Sequence, residues 1–420
     1  MPKHLVFVTW KAGNAPAFEA AKRLGHYVTL VRSTLMEEYQ GIDFDRTSYG
    51  EFVDSVQVLR DATELDALRD CLAGIHASRP IDGFIASVDA LVVPVATLAE
   101  ELGVPFTSAR GAAIAKLKHR CRDELAAAGL DTTAHRIVVD RAAAEAFVAE
   151  AGLPVVIKPA SGSGSDGAHV IRDLAELRTA FPSGPDGAHG VYADGVLMEQ
   201  YLTGTFVSAE VALIHGRFVR LAITDRKTWP RHEPLELGVT IPAAIPAADR
   251  EAVMSFAERA VRALDLRMGV FHVEVMVRPD GQVSLIEFNP RVMGSCLPQL
   301  FSMASGVDLF EVLVRIYLDE DVDLSGLTFD SYATVRWFGA ADRQRTPTEQ
   351  PDLSALDQYG GAVRSLTVAY PDTPELEPCR GNVGNFGEVQ VCHEDHATSV
   401  RIAERIVADL ERQLGFELTR

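Results

Sequence analysis

The sequence predicts an α/β protein with an N-terminal parallel α/β sheet domain, a central α+β region and a small C-terminal α+β subdomain. Strand and helix patterns alternate over residues 1–112, which is typical of a small parallel sheet. Residues 113–198 hold a helix and a loop rich in glycine and serine. Strand patterns dominate residues 199–328, and residues 329–420 combine a glycine-punctuated β stretch with an amphipathic helix, Ser399–Leu414. These four ranges are the predicted domains.

The N-terminal elements are the clearest in the sequence. Apolar runs of strand length and helical periodicities alternate in the order Leu5–Thr9, Ala15–Leu24, Tyr27–Val31, Gly83–Ser87 and Ala90–Leu102. A further helix is predicted from about Ala112 to Ala128, because Gly129 is a typical residue to end it.

A loop of glycine and serine follows a short buried strand. Val155–Lys158 is β-branched apart from its lysine, and it continues into Pro159–Gly167. Backbone N–H groups and hydroxyls in such a loop can cover a phosphate. The loop lacks the Gly-Lys-Ser/Thr ending of a Walker A motif and does not open a Rossmann helix. An ordinary connecting turn is the alternative interpretation.

A hairpin is predicted between the strand Val270–Val277 and the segment Ser284–Arg291. Asp280-Gly281 between two apolar runs is a strong hairpin signal. If these two residues form the whole loop, Glu274 and Glu287 lie directly opposite each other on one face of the hairpin.

Two carboxylates in that position repel each other unless a cation lies between them. Glu274, Glu287 and the amide oxygen of Asn289 are hard oxygen donors, so they are candidate ligands for Mg2+, which would hold a polyphosphate. Arg291 is placed to contact a phosphoryl or carboxylate group with its planar guanidinium. A hairpin face whose acids are simply solvated is the alternative.

Taken in chain order, these features resemble the ATP-grasp superfamily of carboxylate ligases. The resemblance rests on Lys118 in the predicted helix, on Lys158 with its Gly/Ser loop, on a hinge at Glu199–Leu202 and on the hairpin, and it covers roughly residues 1–325. By itself, Lys118 beside Arg120 and Arg122 is typical of an exposed helix face. The resemblance implies a lid lobe and a core lobe with ATP between them.

The resemblance also implies a role for each matching residue. The residues expected to bind ATP are Lys118, Lys158, Ser161, Gly162, Ser163, Gly164, Ser165, Glu199, Tyr201, Leu202 and Glu210. Glu274, Glu287 and Asn289 would hold Mg2+, with Mn2+ as a substitute, and Arg291 and Lys158 would be catalytic.

The hinge departs from the family pattern at one place. Relatives commonly have Gly-Pro-Glu after the hinge and use that glutamate on the ribose, whereas this chain has Gly204-Thr205-Phe206. Glu210 is the predicted substitute.

The implied reaction activates a small carboxylate as an acyl phosphate, which an amine then attacks to give an amide, ADP and phosphate. The Glu-x-Asn-Pro-Arg motif is most like that of ligases joining two amino acids. Biotin carboxylase is an alternative, although its family continues differently after Arg291, and purine-biosynthesis enzymes are another. A nucleotide-binding regulatory protein without catalysis is the alternative of a different class. The loops Lys227–Leu237 and Met293–Phe301 are predicted to select the substrates.

Composition limits the partners. The formal net charge of −19 over 420 residues argues against nucleic acid and against an anionic membrane, and no apolar run reaches the ~20 residues of a membrane span. Five cysteines without a CxxC pair favour a reducing cytoplasm. His393–His396 could suggest a second metal, but Asp395 before a helix fits an N-cap better. The expected partners are a small carboxylate, an amine and, from the resemblance, a second copy of the chain.

Overall fold

The structure is a computed structural model that describes residues 1–10, 15–40, 48–160, 167–180, 196–381 and 384–420. The predicted phosphate-loop residues Ser161–Ser165 lie outside those ranges. Within the described ranges, no single helix is long and apolar enough to cross a membrane.

The N-terminal domain is a sheet of four parallel strands in the order β3-β2-β1-β4. The strands are β1 (His4–Val8), β2 (Tyr27–Ser33), β3 (Ser55–Leu59) and β4 (Gly83–Ile85). The helices are α1 (Ala15–Arg23), α2 (Thr34–Gln40), α3 (Leu65–Ser78) and α4 (Asp89–Leu102), with a 3-10 turn at Ser48–Phe52. The prediction of a parallel α/β sheet is therefore confirmed. The sequence patterns do not predict β3. It is an edge strand, so its Val56 and Val58 are 48% and 56% exposed.

The predicted single helix after this domain is wrong, because the structure breaks it at Leu117. The two pieces are α5 (Ala109–Lys116) and α6 (Lys118–Ala127), and Leu117 between them is extended, with φ −93° and ψ 102°. The amide N–H of Lys118 donates to the carbonyl of Ala160, 3.3 Å away, instead of continuing a helix. Gly129 ends α6 as predicted, with φ +66°.

The lid lobe is a four-stranded antiparallel sheet in the order β5-β8-β6-β7. Its elements are β5 (His135–Val138), α7 (Arg141–Ala151), β6 (Val155–Pro159), β7 (His169–Ile171), α8 (Leu174–Ala180) and β8 (Val196–Gln200). Phe147, Val155 and Met198 belong to its own apolar core. Val156 pairs with Glu199, which puts Glu199 and Lys158 on the same face of the lobe.

The largest sheet has eight antiparallel strands in the order β13-β12-β9-β10-β11-β14-β18-β16. The elements from residue 205 onwards are β9 (Thr205–Ile214), β10 (Arg217–Trp229), β11 (His232–Ile241), α9 (Ala247–Ala263), β12 (Gly269–Val277), β13 (Val283–Asn289), α10 (Leu297–Ser305), α11 (Leu309–Tyr317), β14 (Tyr332–Phe338), β15 (Gln344–Arg345), β16 (Val363–Val368), β17 (Glu375–Leu376), β18 (Gly387–His393) and α12 (His396–Leu414). Asp395 caps α12 by accepting from the N–H of Thr398, as predicted. Because β11 pairs with β14, the C-terminal region continues the sheet of the core lobe.

The predicted register of the hairpin is confirmed at Glu274 and Glu287, but the predicted two-residue loop is wrong. The N–H of Arg278 donates to the carbonyl of Gln282, so three residues form the turn. The longer turn shifts the register, and Val275 pairs with Leu285. A bulge at Ile286 adds one residue to β13 and brings Glu287 back opposite Glu274.

Candidate active site

The two predicted phosphate lysines meet at the bulge of β13. The Nζ atom of Lys118 lies 2.9 Å from a carboxylate oxygen of Glu287. The Nζ atom of Lys158 donates to the carbonyl oxygen of Ile286 at 3.4 Å, and it lies 2.6 Å from Glu199. A bulged residue directs its carbonyl away from the ladder, which makes this contact available. The linker helix α6 and the lid lobe thus bring one ammonium group each to consecutive residues of the core lobe.

Glu199 is the centre of a buried ion-pair network. Its carboxylate accepts from Arg122 and from Lys158, and Arg122 also donates to Asp131 at 3.1 Å and to the carbonyl of Leu285 at 2.9 Å. Burial alone would raise the pKa of Glu199, but Arg122 and Lys158 outweigh it and lower the pKa to about 2. The expectation that Arg122 lies on an exposed face is wrong, since it is 2% exposed.

A second network lies on the hairpin face. Arg226 of β10 donates to Glu236 at 2.6 Å and to Glu274 at 2.7 Å, and His272 contacts the same Glu274 oxygen at 3.0 Å. The pairing of β10 with β11 skips Leu237, and this bulge turns Glu236 towards Arg226.

The pKa values of this network follow its charges. Burial opposes the ionisation of Glu274, but Arg226 and His272 outweigh burial and hold its pKa well below the usual range. Burial raises the pKa of Glu236 to about 7 despite the contact with Arg226. Burial would lower the pKa of His272, but Glu210 and Glu274 raise it to about 9.

Glu210 lies at the buried end of this network. Its carboxylate contacts Nδ1 of His272 at 2.8 Å and accepts from the hydroxyl of Ser208 at 2.9 Å, and the residue is fully buried. These contacts fix the ring of His272, and they offer no support for the predicted contact with a ribose, which stays a prediction.

Arg291 is held by a residue that the sequence patterns did not indicate. Its guanidinium makes two hydrogen bonds, of 2.8 and 2.6 Å, to the carboxylate of Asp89. Asp89 is the first residue of α4, just past the carboxyl end of β4. Ligands of parallel α/β sheets bind at that edge, so the position itself was an available signal. Arg291 and Asp89 together join the N-terminal domain to the hairpin.

The predicted hinge residues connect the lid lobe to β11. The hydroxyl of Tyr201 donates to Glu233 at 2.7 Å, and Arg172 of the lid lobe donates to the other oxygen of Glu233 at 2.7 Å. Leu202 is 8% exposed. At Gly204, with φ +147°, a Cβ atom would come within 2.1 Å of the carbonyl of Val277, so the hinge requires glycine there.

The predicted metal ligands share one face. Glu274 pairs with Glu287 and His272 pairs with Asn289 across the hairpin, so the two carboxylates and the amide are neighbours. Within the described part of the chain, no three His, Cys, Asp or Glu side chains form a complete metal site. Two carboxylates and an amide nevertheless fit Mg2+, which takes its remaining oxygen ligands from phosphate and water.

Two protein-family models match this chain. Residues 151–299 match the ATP-grasp domain, and residues 18–106 match the ATP-grasp N-terminal domain. Both matched regions therefore belong to ATP-grasp domains. The predicted mixed α/β fold, the ATP-dependent, ADP-forming ligase class and the use of ATP and Mg2+ are thereby confirmed at the level of this family.

Individual relatives of this ATP-grasp chain come from several branches. A D-alanine–D-alanine ligase of Stutzerimonas stutzeri is 28% identical over 235 residues, which are 54% of this chain and 72% of that protein. The crystal structure of an L-amino acid ligase from Bacillus licheniformis superposes with a TM-score of 0.80 at 20% identity and covers 97% of both chains. The biotin carboxylase domain of Hydrogenobacter thermophilus 2-oxoglutarate carboxylase, in complex with MgADP, ADP and bicarbonate, has a TM-score of 0.69 at 17% identity and covers 100% of this chain and 91% of that one.

Proposed function

We propose that this ATP-grasp protein is a carboxylate–amine ligase that activates an amino acid or a similar small acid as an acyl phosphate and joins it to an amine. The observation that carries the proposal is the convergence of Lys118 and Lys158 on Ile286 and Glu287, beside Glu274. Three separate parts of the chain supply these groups. A polyphosphate with a metal ion needs this combination of ammonium groups and carboxylates.

Glu274, Glu287 and Asn289 are the residues that would hold Mg2+. When bound there, Mg2+ neutralises charge on the phosphate oxygens and so makes the terminal phosphorus easier to attack. The ammonium groups of Lys118 and Lys158 add to this positive charge from the other side. Both lysines are largely buried, so water screens their charges little.

Arg291 is the residue we assign to the acid substrate and to its acyl phosphate. A carboxylate that attacks a phosphate brings two anions together, so a fixed cation is needed at the point of attack. The guanidinium donates two hydrogen bonds to Asp89, which hold it in one orientation, and its third side donates to the carbonyl of Val292 at 2.8 Å. Asp89 is therefore a positioning residue in this proposal.

The amine substrate needs acidic groups that the metal does not use. Glu236 meets this requirement, since it is 9% exposed and contacts Arg226, which also contacts the proposed ligand Glu274. An ammonium group is attracted to such carboxylates before it loses its proton and attacks. The fold similarity to an L-amino acid ligase and the sequence similarity to a D-alanine–D-alanine ligase support an amino acid in this position.

The decisive experiment measures phosphate release from ATP and Mg2+ in all pairwise mixtures of proteinogenic amino acids, with mass spectrometry of each active mixture. A product with the mass of two substrates minus water supports the proposal and names both substrates. Glu287→Gln serves as the inactive control, and Glu150→Gln, which removes an exposed carboxylate of the lid lobe, serves as the matched active control.

A carboxylase is the second candidate, and the fold similarity to a biotin carboxylase domain favours it. Phosphate release that depends on bicarbonate and needs no amine would support that candidate and contradict ours. Binding of ATP without turnover in any mixture would favour a regulatory protein.

A further inference from the structure

On the face of the sheet opposite to Arg226, a cleft of about 390 Å³ opens between the end of the β10–β11 hairpin, β14 and α12. Lys227 follows Arg226 on β10 and points the other way, because its Nζ atom lies 2.6 Å from Glu404 of α12. The cleft is therefore separated from the proposed ligase site by the thickness of the sheet.

Cations outnumber acids in the lining of this cleft. Lys227, Arg231, Arg336 and Arg420 line it, together with Glu404 and Glu417. The whole chain carries a formal net charge of −19, so a locally positive cleft runs against the charge of the rest of the protein. Local excess charge inside a concave surface concentrates oppositely charged small molecules.

Arg336 is the most informative of these residues. It is 6% exposed, and its Nε atom has no hydrogen-bond partner among the described residues. The nearest carboxylate oxygen, from Glu404, is 3.8 Å from Nε and already pairs with Lys227 at 2.6 Å. Burial lowers the pKa of Arg336, since too little negative charge surrounds it. A buried guanidinium N–H without an acceptor is costly, and a bound anion removes that cost.

The cleft also has an aromatic wall, which Trp229 provides. The indole ring of Trp337 lies on the other face of β14, where its N–H donates to Glu388 at 3.2 Å. Arg231 lies over the ring of Trp229, with 5.7 Å between the guanidinium carbon and the ring centroid. The volume is that of a small-molecule pocket, and flat apolar groups pack well against indole rings.

We propose that this cleft, lined by Lys227, Arg231, Arg336 and Trp229, binds a small organic anion whose carboxylate or phosphate group faces Arg336 and whose apolar part lies against Trp229. The site is distinct from the ligase site, and the proposal does not depend on the reaction assigned above.

The test is calorimetric titration of the full chain with phenyl phosphate, phenylacetate and inorganic phosphate. The first two probes compare a phosphate with a carboxylate, and phenyl phosphate against inorganic phosphate measures the contribution of the ring. We expect 1:1 binding of at least one aromatic anion and weaker binding of inorganic phosphate. Lys158→Ala should leave this binding unchanged, because Lys158 belongs to the separate sheet of the lid lobe and contacts the hairpin at the ligase site.

For three variants the proposal predicts whether anion binding weakens, tightens or stays the same. Arg231→Gln removes one cation from the rim and should weaken binding about fivefold, the effect of one partly exposed charge. Glu404→Gln removes an acid that competes for Lys227 and Arg336, and it should tighten binding by a similar factor. Arg220→Gln, which alters an arginine of β10 paired with exposed Glu251 and outside the cleft lining, is the matched control and should change nothing.

The gain in affinity keeps the test informative even if other variants harm folding. Absence of binding for all three probes would overturn the proposal. Binding that a folded Lys158→Ala protein has lost, with folding checked by circular dichroism, would overturn it as well. So would binding that Glu404→Gln does not strengthen.

Discussion

Replacing Glu199 with glutamine should remove about 3 kcal/mol of stability at neutral pH. The carboxylate lies between Arg122 and Lys158, and these two cations outweigh the effect of burial and lower its pKa from 4.5 to about 2. That difference corresponds to about 3 kcal/mol of extra stability when the group is ionised. The same order, about 3–5 kcal/mol, is typical of removing one partner from a buried ion pair.

The pH dependence has a definite sign. Because the pKa of Glu199 is lower in the folded protein, its stabilisation is fully present above pH 4.5 and is lost as the pH falls towards 2. Glu199→Gln has no such group, so the difference in stability between wild type and variant should shrink over that interval.

The assay is urea unfolding followed by circular dichroism at pH 7 and at steps down to about pH 3. Thermal melts support it, since about 3 kcal/mol lowers the Tm of a chain of 420 residues by about 3–4 °C. Glu150→Gln breaks an exposed pair with Arg136 in the same lobe and should cost less than about 1 kcal/mol. The reasoning would be refuted if Glu199→Gln were no less stable than Glu150→Gln at pH 7, or if its deficit stayed constant down to pH 3.

Four further predictions concern the site and hinge. Asp89→Asn should lower kcat at least about tenfold through loss of the oriented Arg291, with ATP affinity changed less than about twofold, as steady-state kinetics and equilibrium binding would reveal. Glu287→Gln should weaken Mg-ATP binding more than about tenfold, because a proposed metal ligand loses its charge. Binding of metal-free ATP should be equal or tighter, because Lys118 loses its counter-ion. Calorimetry with and without Mg2+ separates the two effects. Tyr201→Phe should raise KM for ATP by only a few-fold, because it frees one oxygen of Glu233 while Arg172 still donates to the other. A larger fall in kcat than in kcat/KM would contradict this prediction. Gly204→Ala should destabilise the protein by about 2 kcal/mol or more in urea unfolding, whereas Gly74→Ala, in α3 with no atom near its added Cβ, should be neutral or stabilising by up to about 1 kcal/mol.

The hairpin illustrates what local sequence can and cannot predict. Apolar alternation and the Asp280-Gly281 signal were enough to pair Glu274 with Glu287, and that pairing is correct. The three-residue turn and the bulge at Ile286 escaped prediction because their register shifts cancel at this pair. The bulge matters chemically, since its carbonyl contacts Lys158.

Residues that act through long-range pairing were beyond the reach of pattern analysis. Asp89 and Arg291 are separated by 202 positions, and Arg122 and Glu199 by 77. A helix pattern records which face is apolar, but it does not record which distant carboxylate will neutralise an arginine. For this reason the sequence pattern places Arg122 on an exposed helix face and does not indicate Asp89.

The cations of the proposed ATP site all have carboxylate partners, and this arrangement bears on how strongly the site can bind phosphate. Lys118 pairs with Glu287, Lys158 with Glu199, and Arg291 with Asp89. A buried cation without a counter-charge would destabilise the fold, so these acids stabilise the protein before any nucleotide binds. A phosphate must compete with these acids for the cations. The net binding energy is therefore the energy of the cation–phosphate pair minus that of the cation–carboxylate pair that it replaces. Of these three acids, only Glu287 is also a proposed metal ligand. When the metal and the phosphate bind together, Glu287 can therefore turn to the metal and Lys118 can pair with the phosphate instead. Glu199 is additionally held by Arg122, so Lys158 stays paired. The contribution to catalysis that we propose for Lys158 must therefore come from its fixed position rather than from release of a partner.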